Sequence, residues 1–173
     1  MNSLTHALGG LALTTATCVF APSFLGPVSP AVLTAGLFGS ILPDIDHPKA
    51  KISNYTLLSK AVSKTVSATA GHRGPCHSLL FVALVSFLLS RFAVPYIPFF
   101  TEECVKWLAV GMVSHLLLDM LNPTGINLFW PLTKRKRHLL RIKTGSTGER
   151  VIAGLLFCID TVLLALLFIP KAI

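Results

Sequence analysis

Long apolar runs separated by two polar, basic connections dominate the hydrophobic pattern of this chain. Five such runs can be marked: about Leu4 to Leu25, Ala31 to Leu42, Ser78 to Pro98, Val105 to Leu121 and Val151 to Ile169. None alternates with a period of two and all are rich in Leu and Ala, so helices are expected rather than strands. A helix needs about 20 residues to cross a bilayer. The third and fifth runs meet that length, and the first and fourth come near it. The second is short enough to be tilted or re-entrant. Gly-Pro-Val-Ser-Pro at Gly26 to Pro30 reads as a turn. The pattern therefore predicts an all-α, polytopic bundle of about five apolar helices. It forms one integral membrane domain, residues 1–173, with long loops at about 43–77 and 122–150.

Composition strengthens the membrane reading. Of 173 residues, 53% are hydrophobic and only 13% are charged, with a mean hydropathy of +0.71. A soluble domain of this size needs more polar surface. The net charge of +8 falls mainly in the two long loops. Lys49, Lys51, Lys60, Lys64 and Arg73 lie in one, and Lys134, Arg135, Lys136, Arg137, Arg141, Lys143 and Arg150 in or at the end of the other. The positive-inside rule puts both loops, and the N-terminus, in the cytoplasm of a bacterial cell. The Lys-Arg-Lys-Arg run suits anionic lipid headgroups. It has no aromatic or glycine pattern to suggest nucleic acid. Cys18, Cys76, Cys104 and Cys158 are too scattered for a disulfide framework or a zinc ribbon. No basic residue precedes the first run, so no cleaved signal peptide is expected.

The fourth run breaks its own pattern with His115 and Asp119. Four residues apart on a helix, they share one face. Buried titratable groups need each other, water or a metal, because an isolated charge in an apolar medium is costly. A hydrogen bond gluing two helices is the bland explanation; Asn122, continuing the same face, favours a larger polar site. On the expected topology, five of the six histidines and three of the four aspartates can converge at the cytoplasmic face.

Three further motifs lie there. Leu-Pro-Asp-Ile-Asp-His-Pro at 42–48 places Asp44, Asp46 and His47 between prolines, more than a helix stop and an Asx turn require. Carboxylate oxygen and imidazole nitrogen are the donors that hold zinc, manganese or iron. In Gly-His-Arg-Gly-Pro-Cys-His-Ser, Pro75 suits the first turn of a helix and brings His77 to its start. His72 and Arg73 precede it, Arg73 as a phosphate clamp or one more loop charge. His6 stands at the start of the first run. Ser146 and Glu149 match a capping box opening the fifth run, with a secondary catalytic reading for Glu149. Asp160 lies in mid-run, with Arg91 as a possible partner.

With Thr-His-x-x-x-Gly, Leu-Pro-Asp-Ile-Asp-His-Pro, His-Arg-Gly-x-x-His-Ser and Ser-His-Leu-Leu-Leu-Asp-x-Leu-Asn-Pro-x-Gly in order, the chain resembles the YdjM family of bacterial inner-membrane proteins. That resemblance covers most of the chain and implies a metal-dependent hydrolase. More weakly, the motifs are similar to zinc-dependent phospholipase C, all-helical enzymes holding zinc with His and Asp. That similarity implies His115 and Asp119 as a ligand pair and Asp44 as a bridging carboxylate. His6 with His72 or His77 would complete the set. The N-terminal tryptophan and a later His-x-x-x-Glu are missing, Ile142 standing four after His138, so one or two ions are expected rather than three.

The expectation is a membrane-embedded, metal-dependent hydrolase acting on a phosphoester or phospholipid-like substrate at the cytoplasmic face. Its metal ligands would be drawn from His6, Asp44, His47, His77, His115 and Asp119. Asp46 and His72 would orient ligands or move protons, and Arg73 would stabilise phosphoryl charge. Zinc is the first choice of ion. The rival classes are a metal-binding membrane transporter and a non-catalytic interaction protein.

Overall fold

A computed structural model describes residues 1–22, 28–47, 60, 63–64, 74–133 and 135–169. His72 and Arg73 lie outside the described residues. Five α-helices are present among them: α1 (Ser3–Phe20), α2 (Pro30–Gly39), α3 (Leu79–Phe92), α4 (Glu102–Asp119) and α5 (Thr147–Phe168). Two short 3-10 turns, Leu42–Asp46 and Pro75–His77, join them. No sheet forms among the described residues; one isolated bridge pairs Ile126 with Arg137.

Each helix begins where a side chain can take an orphan N–H. Asn2 accepts from the Thr5 N–H, Ser29 from Val32, Ser78 from Phe81, Thr101 from Cys104 and Ser146 from Glu149. Pro30 adds a fixed φ at the start of α2. The third apolar run is shorter as a helix than its hydrophobicity suggests. Pro95 and Pro98 cannot continue a helix, so α3 stops at Phe92 and the remainder folds into turns.

Among the described residues two helices, α1 and α5, are long and apolar enough to span a membrane. The exposed faces fit a lipid solvent. α3 turns Leu80, Leu84 and Phe87 outward, and α5 does the same with Leu155, Phe157 and Val162. α4 is the central element, packing against α1, α2 and α3. Along it Trp107, Met112 and Leu116 are fully buried.

Where α2 meets α4 the backbones nearly touch. A Cβ on Gly111 would collide with the Gly36 carbonyl oxygen, and one on Gly39 with the Leu108 carbonyl. Small residues at such crossings are how helices approach closely where no hydrophobic force separates protein from lipid. That approach fixes where the chain leaving α2 arrives. α1, α3 and α5 begin, and α2 and α4 end, at the same end of the bundle. The segment after α4 folds back across that end. Leu139 donates to the Met120 carbonyl, Ile142 to that of Leu121, and the Asn122 amide to Thr144 Oγ1.

Candidate metal centre

At this shared end the polar motifs meet. His6 lies on the first turns of α1, His115 and Asp119 on the last turns of α4. The Leu42–Asp46 turn brings Asp44 and Asp46, and the Pro75–His77 turn brings His77. The His6, His77, His115, Asp46 and Asp119 side chains are buried to within 1% of complete, and Asp44 is 14% exposed.

Contacts hold each group in place. The His115 Nδ1 lies 2.7 Å from the Ser40 carbonyl oxygen, which can only accept. Nδ1 therefore carries the hydrogen, and Nε2 presents its lone pair to the centre of the cluster. The close α2–α4 packing described above delivers Ser40 to that position. Across the site, the His77 Nδ1 faces Asp46 Oδ2 at 3.2 Å, so its Nε2 also points inward. The two Nε2 atoms are 3.1 Å apart. His77 Nε2 is also 3.4 Å from Asp119 Oδ2. The His6 ring stacks on that of His115, with centroids 3.7 Å apart and planes 13° from parallel. Its Nε2 is 3.3 Å from Asp119 Oδ1, while its Nδ1 is buried with no hydrogen-bond partner among the described residues. The Met1 amine bonds the same Asp119 oxygen at 2.5 Å.

Two imidazole nitrogens oriented towards one point make a place where a cation could sit. Without a metal, a proton on His77 fills it. Burial opposes that charge, but the hydrogen bonds to Asp119 and Asp46 outweigh it and raise the His77 pKa to about 9. With a metal, the nitrogen and oxygen donors suit a borderline divalent ion. Three overlapping groups have ligand atoms within 4.8 Å of one another: His6, Asp44 and His115; His77, His115 and Asp119; and Asp44, Asp46 and His77.

Other sequence candidates fall elsewhere. His47 ends the Leu42–Asp46 turn, its N–H on the Asp44 carbonyl, and belongs to none of the three groups. Asn122 does not extend the His115–Asp119 face into the site; it braces the following loop through Thr124 and Thr144. Cys76 is buried in the Pro75–His77 turn. Burial, then the Asp46 charge, pushes its thiol pKa up to about 12, and it belongs to none of the three groups. Glu149 is an anchor. Its carboxylate accepts from the N–H groups of Asn2 (2.6 Å) and Gly145 (2.5 Å) and from Thr5 Oγ1 (3.2 Å), tying the start of α1 to the start of α5. Asp160 and Arg91 form no ion pair; both Asp160 oxygens are buried without a hydrogen-bond partner among the described residues.

The residue that sequence reasoning missed is Ser40, which acts through its backbone carbonyl. Its one advance signal is the small-residue pair Gly36 and Gly39 just before it, which marks a close helix crossing.

Comparison with known proteins follows the same lines. The family described as YdjM inner membrane protein matches residues 1–171. The uncharacterized protein YvsG of Bacillus subtilis is 38% identical over 90% of this chain and 89% of its own length. The inner membrane protein YdjM of Escherichia coli is 36% identical over 73% of this chain and 63% of its own. The inner membrane protein YbcI of Escherichia coli is 29% identical over 60% of this chain and 56% of its own. No solved structure matches.

Proposed function

Since the chain belongs to the YdjM family of inner membrane proteins, we propose that it is a metal-dependent hydrolase of a phosphoester amphiphile at the cytoplasmic membrane face. The observation that carries this reading is the pair of inward-pointing Nε2 atoms of His77 and His115, oriented by Asp46 and Ser40. His6, Asp44, His77, His115 and Asp119 would hold one or two zinc ions, with manganese or iron as alternatives. A bound divalent ion supplies Lewis-acid polarisation of a phosphoryl oxygen and acidifies water near neutrality.

The remaining steps belong to the chain. Ser40 and Asp46 fix the two histidine tautomers, so each ligand offers its lone pair without rearranging. Packed helix ends exclude bulk water, which strengthens every electrostatic contact inside. Asp46, 3.2 Å from His77, is one candidate for proton transfer and His72 the second. Arg73, just ahead of the Pro75–His77 turn in sequence, is assigned the developing phosphoryl charge. With α1, α3 and α5 starting at the site's end, both basic loops attach there. The positive-inside rule then makes that end cytoplasmic, where anionic headgroups are in reach of the exposed Arg135, Lys136 and Arg141.

Metal analysis of the detergent-purified protein tests the site. The expected result is bound zinc in the natural protein and loss of it in both His115→Ala and Asp119→Ala. No metal in the natural protein, or unchanged content in both variants, would refute the reading. Phosphodiester and phospholipid turnover by the loaded protein is the second measurement. Metal passage into vesicles without turnover would instead identify a transporter.

A further inference from the structure

Beside the site, on the lipid-exposed flank of the bundle, an apolar cavity of about 310 Å³ opens between three helices. Gly9, Ala12 and Ala16 of α1, Leu118 of α4, and Leu156 and Ile159 of α5 line it, and Ser114 is its one polar side chain. Its inner end is fixed by the site: Gly9 is one turn beyond His6, and Ser114 and Leu118 adjoin His115 and Asp119. From there it runs along α1 to Ala16, about 10 Å at 1.5 Å per residue.

Two of the three walls, α1 and α5, are helices both long and apolar enough to cross a bilayer. Lipid is therefore the solvent that meets the opening. We propose that this groove seats one acyl chain of a phospholipid whose phosphoester lies at the metal centre; the phosphoester half of the proposal rests on the hydrolase reading above. The volume is at the low end of small-molecule pockets. Spread over about 10 Å, it gives a cross-section of about 30 Å², far below that of a helix about 10 Å across. A second copy of the chain cannot insert a helix there, and a methyl-branched polyprenyl chain fits less well than an unbranched acyl chain. Lipid tails are as apolar as leucine, so close packing against the groove walls, and not hydrophobicity, holds the chain there in preference to the open bilayer. Its effect is alignment: one chain held along α1 sets the depth and direction of the phosphoester.

The test uses the full chain in nanodiscs containing phosphatidylglycerol with a diazirine in one acyl chain. Photolysis and peptide mapping should place cross-links on residues 9–16 and 156–159, several-fold above the outward face of α3 at Leu84 and Phe87. Ala16→Phe, which fills the groove, and Leu117→Trp, at an exposed position on its rim, should each reduce groove labelling while metal content stays unchanged. Labelling spread evenly over α3 and the groove, or insensitive to both substitutions, overturns the proposal. So does stronger groove labelling by a diazirine polyprenyl phosphate. Metal is measured on the same samples. Groove labelling in a protein that binds no metal supports the acyl-chain site and refutes the hydrolase reading alone. Bound metal without groove labelling does the reverse.

Discussion

α4 and α5 invert the usual relation between hydrophobicity and burial. α5 is a candidate membrane span, yet its buried side chains are few: Glu149, Asp160 and Leu163 stand out against exposed Val151, Leu155, Phe157 and Val162. α4 begins with Glu102 and Glu103, carries a buried histidine and aspartate, and is enclosed along most of its length. In water the most apolar helix goes to the centre. Here lipid accepts α5 at the rim, and the centre is left for the helix whose polar groups need protein partners. Within this bundle, burial marks where chemistry sits more reliably than hydrophobicity does.

Glycines give the sharpest way to break that contrast. Gly111→Ala drives a methyl into backbone atoms of α2, which have no flexible end to swing aside. Overpacking of this kind costs about 1–3 kcal/mol or more, and displacing Ser40 should also weaken metal binding. Gly154→Ala in α5 meets nothing within 4 Å. It should be neutral or stabilising by about 0.5–1 kcal/mol, the helix preference of alanine over glycine. Thermal melts in detergent compare the two; equal effects would mean that α4 is not the enclosed element. A smaller loss is expected at Asp46→Asn, which leaves the ligands in place and weakens only the hold on His77. Metal affinity should fall about 10–100-fold, read by competition with a chromogenic chelator, while the melting temperature of the metal-free protein moves little.

How much of this could be read in advance depends on what carried the signal. His115 and Asp119 announced themselves because a helix repeats every 3.6 residues and nothing else in the apolar run was titratable. Asp44, Asp46 and His77 were legible because turns flanked by proline place side chains at helix ends. Convergence on one face followed from loop charge, and the described helix directions agree with it. Ser40 was not legible as an orienting group, because a carbonyl is the same in every residue. The length of α3 was overestimated because hydropathy alone takes no account of Pro95. Glu149 looked like half of a capping box. It turned out to bind N–H groups of Asn2 and Gly145, the first of them a contact 147 residues distant in the chain that no local pattern encodes.

A change of stabilising sign is expected back on α5. Asp160→Leu replaces a buried carboxylate with no hydrogen-bond partner among the described residues by a side chain the helix already favours. Relieving an unsatisfied buried group contributes about 1–3 kcal/mol at most, so a melting temperature raised by a few degrees with metal content unchanged is expected. Loss of metal would show that α5 takes part in the site after all.

The dispersal of the ligands has a consequence for biogenesis. His6 emerges from the ribosome first, and Asp119 only once the first four helices have been made. Every chain that stops short of α4, or inserts it out of register, lacks the carboxylate that His6 and His77 share. An ion held by Asp119 together with His6 and His77 would therefore be captured only after α4 is in place, late in membrane insertion.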